Sequence, residues 1–150
     1  MNNVIKLKNY ASSAALPNIF ADIEKTLISH GAQQIVKDYD SATGKTTALS
    51  FVIKTPNGNL AIRLPVREDK VRQIFKNQGL RWKIDQPYRT AWATIRDWIA
   101  AQMALIDWEM VKLEEVFLPY AVNNQGKTYF EVLESRGFQL GSGIEEGTVL

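Results

Sequence analysis

The feature that most restricts the fold of this chain is a long apolar stretch that begins near Gln86. Apolar residues recur there at three- and four-residue spacing in two adjacent stripes. The first stripe is Tyr88, Trp92, Ile95, Ile99, Gln102, Ile106 and Met110, and the second is Ala91, Trp98, Leu105 and Trp108. Because a helix that is apolar over more than half of its circumference must be covered by other elements, the sequence predicts a long central helix in the second half of the chain.

Between residues 33 and 65 the polarity period changes from that of a helix to that of a strand. Residues 33–39, 46–54 and 59–65 alternate in polarity and are rich in β-branched and aromatic side chains, which is typical of strands. The two connections carry turn residues, with Gly44 in the first and the pair Asn57-Gly58 in the second. These patterns predict a three-stranded antiparallel meander.

Four further helices are predicted around the meander and the long helix. They cover residues 16–32, with Leu16, Phe20, Ile23 and Leu27 on one face; residues 66–79, with Val66, Val71, Ile74 and Phe75 facing inward; and two shorter segments around residues 112–120 and 127–138. The resulting order predicts an α+β fold in which the helices pack on one face of the sheet.

Length and composition agree with one domain. The 150 residues are 45% hydrophobic and 23% charged, without an internal linker or repeat. We therefore expect a single domain over residues 1–150, with loosely ordered ends at residues 1–4 and 141–150. No residue is cysteine, which excludes thiol catalysis and disulfides. Without a signal-peptide pattern or an apolar run of roughly 20 residues, a cytoplasmic protein without a membrane partner is expected.

Candidate catalytic and metal-binding residues are few. Gly44 to Thr46 resembles the end of a phosphate-binding loop, but position 39 is Tyr39 instead of glycine and the segment joins two strands. The single histidine, His30, stands at the end of the first predicted helix, where a capping or solvent-exposed histidine is expected. The paired acidic residues, Asp38 with Asp40, Asp107 with Glu109, and Glu114 with Glu115, suit turns and helix ends. We predict no catalytic residue, no metal site and no cofactor.

Charge is the strongest functional signal. The net charge is only +2, but residues 63–96 carry nine basic and three acidic side chains, a balance of +6, whereas residues 97–150 carry three basic and nine acidic ones, a balance of −6. Such asymmetry favours a basic surface that attracts anionic ligands. The alternative is that the basic and acidic parts of the chain pair with each other in the fold.

Within this basic segment, Trp82 lies between Arg81 and Lys83, where it can stack on a base or fold back onto the edge of the core. Arg89 and Arg96 are seven residues apart with Ala93 between them, so we expect them on one flat helix face. The aromatic residues of the long helix are interpreted as core, with a stacking platform as the alternative. The candidate binding residues are Arg63, Arg67, Lys70, Arg81, Trp82, Lys83, Arg89 and Arg96.

Two strings of the sequence resemble a known group of proteins: KDYDSATGKTTALSFVIKTPNGNLAIRLPVR and YRTAWATIRDWIAAQMALIDWEMVKLEEVFLPYAV. They are similar to a family of small uncharacterised proteins encoded by bacteriophages and prophages, whose long helix carries W-x-x-I-x-D-W-I/V-x-A-Q-x-A-L-I and is followed by V-F-L-P-Y. The likeness covers residues 16–134. It implies no activity and no site residue; it implies production inside a bacterium during phage growth.

The sequence thus predicts a non-enzymatic, phage-type binding protein that contacts nucleic acid through its basic segment. The alternative is an anti-defence factor that inhibits a host protein or sequesters a nucleotide signal. An enzyme with an unrecognised site comes third. The oligomeric state is left open.

Overall fold

The computed structural model describes residues 7–139, and the loosely ordered ends expected at residues 1–4 and 141–150 lie outside that range. In chain order the elements are α1 (Leu16–Ser29), β1 (Ala32–Tyr39), β2 (Thr46–Thr55), β3 (Gly58–Pro65), α2 (Glu68–Asn77), α3 (Gln86–Asp107), α4 (Leu113–Phe117) and α5 (Tyr129–Ser135), with a 3₁₀ turn at Leu118–Tyr120 before α5. The predicted α+β class, the meander and the long helix in the second half are confirmed.

The sheet has the order β1-β2-β3, and both pairings are antiparallel. The β2–β3 hairpin closes with Thr55 opposite Gly58, whose φ of 125° is accessible to glycine and strained for residues with a side chain. Side chains alternate across the strands, so that Phe51 and Ile62 are buried on one face. The opposite face carries Arg63 and Val36, and Val36 is 53% exposed. One sheet face therefore supports the core.

The core joins that face to the helices. Its fully or almost fully buried side chains come from α1 (Ile19, Ile23, Leu27), from the sheet (Leu49, Phe51, Ile53, Ile62), from α3 (Trp92, Ile99, Met103) and from α4 (Phe117). On β2, the backbone N–H of Thr46 donates a buried hydrogen bond of 2.8 Å to the hydroxyl oxygen of Tyr88 on α3. The central position predicted for the long helix is confirmed.

Two details of the predicted helices are wrong. Trp108 and Met110 lie beyond the end of α3 and are 79% and 64% exposed, because Trp108 caps the helix and Glu109 takes a φ of 59° that turns the chain away from the helix axis. Ile74 on α2 is 44% exposed instead of facing inward. The short helix α2 buries a narrow stripe centred on Phe75, which is 2% exposed, and this stripe leaves Ile74 outside.

The segment before α1 lies along the first half of α3. The Thr90 hydroxyl donates to the carbonyl oxygen of Asn9 at 2.8 Å, and the Gln86 side-chain amide donates to the carbonyl oxygens of Tyr10 and Ser12 at 3.0 Å each. These bonds satisfy backbone groups that no helix or strand would otherwise engage. The helix is thus covered on a side that its sequence alone leaves undecided.

Candidate functional site

The basic segment falls mainly on α2 and on the loop that joins α2 to α3. Glu68 and Asp69 lie in the first turn of α2, where negative charge is favourable, and Phe75 anchors the helix to the core. Gly79 takes a φ of 65°, and the next residue, Leu80, donates its N–H to the carbonyl oxygen of Phe75 at 3.0 Å. The helix therefore ends in a tight turn, and the loop after it runs over the surface to α3.

Five candidate binding residues on this part of the chain are exposed, and so is Lys76 on α2. We call these six residues the α2–loop surface: Arg67, Lys70, Lys76, Arg81, Trp82 and Lys83. The five cations among them make no ion pair with any residue in the range 7–139. Their neighbour Arg72 differs, because its Nη2 lies 2.7 Å from Glu68 Oε1, which also accepts from Lys45 Nζ at 2.9 Å. The α2–loop surface is thus a group of cations without internal neutralisation by described residues.

Trp82 packs on the edge of the core and is also partly exposed. Its ring packs edge-on against Phe75, with centroids 5.7 Å apart and planes at 68°, yet 37% of the residue is exposed. Ile84, two residues further on, is 87% exposed and was missed by sequence reasoning, because a single apolar residue in a loop belongs to no periodic pattern. The contact with Phe75 holds the indole in place between two cations, which is an arrangement suited to stacking on a base.

Three predicted binding residues lie elsewhere. Arg63 projects from the open face of the sheet, with its Nε 3.5 Å from Asp38 Oδ2. Arg89 is half-buried and donates from Nη1 to the side-chain oxygen of Gln86 at 3.0 Å. Arg96 donates from Nε to Asp97 Oδ1 at 3.0 Å. Each of these guanidinium groups has a partner within the fold, so none is as available to a ligand as the cations of the α2–loop surface.

Arg89 and Arg96 are seven residues apart on α3, but the helix face between them is covered, because Ala93 is fully buried in the core. The eight candidate residues therefore do not form one surface. Five of them belong to one stretch of the chain, at the start of α2, on α2 or in the loop that follows it: Arg67, Lys70, Arg81, Trp82 and Lys83. Within residues 7–139, the pair Arg96–Asp97 is the one ion pair that joins residues 63–96 to the acidic part of the chain. Direct ion pairing of the two parts is thus confined to that contact in the described range, and the charge of Arg63 in addition lowers the pKa of Glu131.

Asp97 is held by several donors, including the Asn9 side-chain amide at 2.9 Å and Lys8 Nζ at 3.3 Å. Burial raises the pKa of Asp97, but the hydrogen bonds from Asn9, Arg96 and Lys8 together lower it by more than burial raises it. The pKa of Asp97 therefore lies below its usual value. A carboxyl whose pKa is lower in the folded than in the unfolded protein stabilises the fold above the unfolded pKa. That contribution is lost as the pH falls through the folded pKa.

We therefore expect Asp97→Asn to be less stable than the parent at neutral pH, and we expect the difference to shrink below about pH 4, the usual range of an aspartate pKa. The measurement is the urea midpoint of both proteins at neutral pH and at acid pH. Asp22→Asn serves as the control, since Asp22 is exposed on α1 and makes no ion pair within residues 7–139. A stability difference that does not change with pH would contradict this account of Asp97.

His30 has the local structural role that was predicted. It caps α1, its Nδ1 lies 2.8 Å from the carbonyl oxygen of Thr26, and its Nε2 lies 2.8 Å from Asp107 Oδ1. The ring therefore joins the C-terminal ends of α1 and α3. His30 and Asp107 are 77 residues apart in the sequence. Both ring nitrogens are engaged by structural partners.

The acidic pairs also serve local structure. Asp40 Oδ1 accepts from the N–H of Ala42 at 2.7 Å in the turn after β1, and the same turn places Gly44 at a φ of 72°. Glu114 and Glu115 lie in the first turn of α4, as predicted. In the part of the chain that the structure describes, no three histidine, cysteine, aspartate or glutamate side chains group together as metal ligands.

Fold and surface together define an α+β protein with an exposed, basic, aromatic-containing surface on α2 and the following loop. Comparisons with protein-family models, with curated proteins and with solved structures find no match to this chain. None of the helices described between residues 7 and 139 has the length and apolar character required to cross a membrane.

Proposed function

We propose that this protein binds nucleic acid through the α2–loop surface and does not act as an enzyme. The observation that supports the proposal best is the absence of ion pairs, within residues 7–139, at Arg67, Lys70, Lys76, Arg81 and Lys83. Cations left unpaired on a surface gain most by contacting phosphates, because each contact releases condensed counterions from the nucleic acid. The exposed part of Trp82 adds a stacking surface among these cations.

The proposed setting follows from the resemblance described for residues 16–134. In a bacterial cell during phage growth, a small cytoplasmic protein of this kind meets abundant nucleic acid. A basic surface with one aromatic residue favours binding through the backbone, so this surface by itself should depend little on sequence.

The test is the binding of fluorescent single-stranded and duplex oligonucleotides to the intact protein, over salt concentrations from about 50 to 300 mM. We expect the logarithm of the affinity to fall linearly with the logarithm of the salt concentration, by about 0.7 per phosphate contact on single strands and about 0.9 on duplexes. Trp82→Ala should weaken single-strand binding more than duplex binding, because only unpaired bases are free to stack on the indole.

Absence of binding to either form at micromolar protein and low salt would reject the proposal. Affinity that increases with oligonucleotide length would support it. Saturation by one small nucleotide, without dependence on length, would instead favour the alternative in which the protein sequesters a nucleotide signal.

A further inference from the structure

A cleft of ≈ 530 Å³ lies beside the α2–loop surface and shares Arg67 with it. It opens between the end of β3, the middle of α3, the 3₁₀ turn and the start of α5. Its apolar lining includes three aromatic side chains, Trp98, Tyr120 and Phe130, and its polar lining includes Arg67, Thr94, Thr128 and Glu131. A mostly apolar cleft of this volume with a few polar groups is typical of a site for a small planar ligand.

The aromatic walls of the cleft are held by packing. Trp98 lies edge-on to Phe117, with ring centroids 5.7 Å apart and planes at 89°, and edge-on to Tyr120 at 5.6 Å and 67°. Phe117 is fully buried, so it fixes Trp98 against the core. Phe130 is 46% exposed, so its ring is accessible to solvent at this cleft. Rigid and accessible aromatic surfaces of this kind are suited to holding a planar ring by stacking.

One cation and one anion line the cleft. Arg67 makes no ion pair within the described range and belongs to the α2–loop surface as well. The carboxylate of Glu131 is positioned by Thr128, because its Oε1 accepts from the Thr128 N–H at 3.2 Å and from the Thr128 hydroxyl at 3.0 Å. The other carboxylate oxygen makes no hydrogen bond to residues 7–139. It is therefore an acceptor without a donor in the described part of the chain.

The charge of Glu131 at neutral pH agrees with this geometry. The hydrogen bonds from the backbone and side chain of Thr128 lower the pKa of Glu131, as do the charges of Arg63 and Lys127, and together these effects outweigh the opposing effect of burial. The cleft thus offers a positive group at Arg67, a negative acceptor positioned by Thr128, and aromatic walls in one place.

We propose that this cleft binds one unpaired nucleobase that carries an amino group, with the phosphate of the nucleotide at Arg67 and the amino group donating to Glu131. The inference rests on the proposed nucleic-acid function and deepens it, since Arg67 links the cleft to the α2–loop surface. An acidic side chain accepts a hydrogen bond from the amino group of cytosine, whereas thymine presents a carbonyl oxygen at the same position and would be repelled. The protein is thus a single-strand binder with a preference for amino-bearing bases.

The experiment compares oligo(dC) with oligo(dT) of equal length, so that charge and ring size are matched. The intact protein should bind oligo(dC) roughly fivefold or more tightly, in line with the discrimination that a side-chain contact to a base edge provides. Phe130→Ala should weaken binding of both oligonucleotides by roughly tenfold through the loss of a stacking surface. Tyr129→Ala is the matched control, because Tyr129 is a 41% exposed neighbour on α5 that does not line the cleft, and both affinities should be retained.

The variant Glu131→Gln tests the hydrogen bond without disrupting α5. Glutamine can replace glutamate in the reciprocal capping arrangement with Thr128, so the start of the helix is preserved. Its amide oxygen can accept from Thr128 while its NH₂ group faces the base, and a donor there favours thymine. We therefore expect the preference for oligo(dC) to disappear or to reverse. An unchanged preference in this variant would overturn the role of Glu131.

Failure of the cleft and failure of the surface can be told apart. If Phe130→Ala and Glu131→Gln bind like the parent while charge reversal at Arg81 and Lys83 weakens binding, the base site is rejected and the proposed function stands. If the parent binds neither oligonucleotide, both are rejected. If cytidine monophosphate alone binds as tightly as oligo(dC), and charge reversal has no effect, the cleft is a site for a free nucleotide and the single-strand proposal is overturned.

Discussion

Replacing Trp92 by alanine should lower the free energy of unfolding by about 3–5 kcal/mol, the usual cost of removing a large aromatic side chain from a core. Trp92 is 0% exposed and packs against Phe20, with ring centroids 5.0 Å apart. The substitution therefore leaves a cavity between α1 and α3 that the surrounding side chains can fill only in part. A loss of this size is a large share of the 5–15 kcal/mol that stabilises a typical domain.

Two comparison variants separate packing from other effects. Trp108→Ala removes the same type of side chain at a position that is 79% exposed, so the free energy of unfolding should change by no more than about 0.5 kcal/mol. Trp92→Phe should cost much less than Trp92→Ala, because it retains an aromatic ring and removes the indole Nε1, which is buried without a hydrogen-bond partner among the described residues. The measurement is urea unfolding with midpoint and slope. Similar effects of alanine at positions 92 and 108 would contradict the central position of α3.

Replacing both Arg81 and Lys83 by glutamate should weaken binding to single strands by about a hundredfold at about 50 mM salt. The reason is that each lost phosphate contact removes a factor that varies with the salt concentration to the power of about −0.7 to −0.9. The slope of log affinity against log salt should flatten by about 1.5 for the two lost contacts. Both side chains are in an exposed loop without ion pairs to residues 7–139, so their substitution should leave the fold intact. Fluorescence anisotropy gives both quantities.

A matched control for this double reversal is available on other elements. Lys25 on α1 and Lys54 on β2 are exposed and make no ion pair in the described range. Changing both to glutamate alters the net charge by the same amount, from +2 to −2. We expect only a small, uniform decrease in affinity in that variant. Equal losses in the two double variants would mean that net charge, and not the α2–loop surface, governs binding.

Arg89 and Arg96 are less suitable for charge reversal than their sequence positions indicate. A glutamate at position 96 would stand beside Asp97, where the native guanidinium donates at 3.0 Å. Like charges at that distance would destabilise the region of α3 to which residues 8 and 9 are bound. A loss of binding in such a variant would report unfolding as readily as it reports a lost phosphate contact.

Most of the fold could be predicted from the sequence because the signals are local. The three strands differ from the predicted ranges by one residue at most at each end, since alternation and turn residues are read within a few positions. The two errors, at Trp108 and Ile74, fall at a helix end and on a short helix. At such places three or four residues of periodicity do not decide which side is covered.

The candidate site was predicted less completely. The sequence indicated the basic segment and singled out Trp82, but it grouped Arg63, Arg89 and Arg96 with residues from which the fold separates them. It interpreted Trp98 as core and gave no signal for Phe130 or Glu131, because the cleft is assembled from β3, the residue before α2, α3, the 3₁₀ turn and the start of α5. A site built from five separate segments has no sequence spacing by which it could be recognised.

The sequence by itself determined the elements, their order and the core-facing residues of α1, β2, β3 and much of α3, since periodic burial is encoded along each element. Only the tertiary structure decided which cations make no ion pair within residues 7–139, which aromatic residues are exposed and where a ligand could enter. Those properties depend on contacts between distant residues, such as the bond from Thr90 to Asn9, 81 positions apart, or that from Arg63 to Asp38 across the sheet. Periodicity records which face of a helix or strand is apolar, whereas the partner that covers or neutralises a side chain is set by how those faces come together.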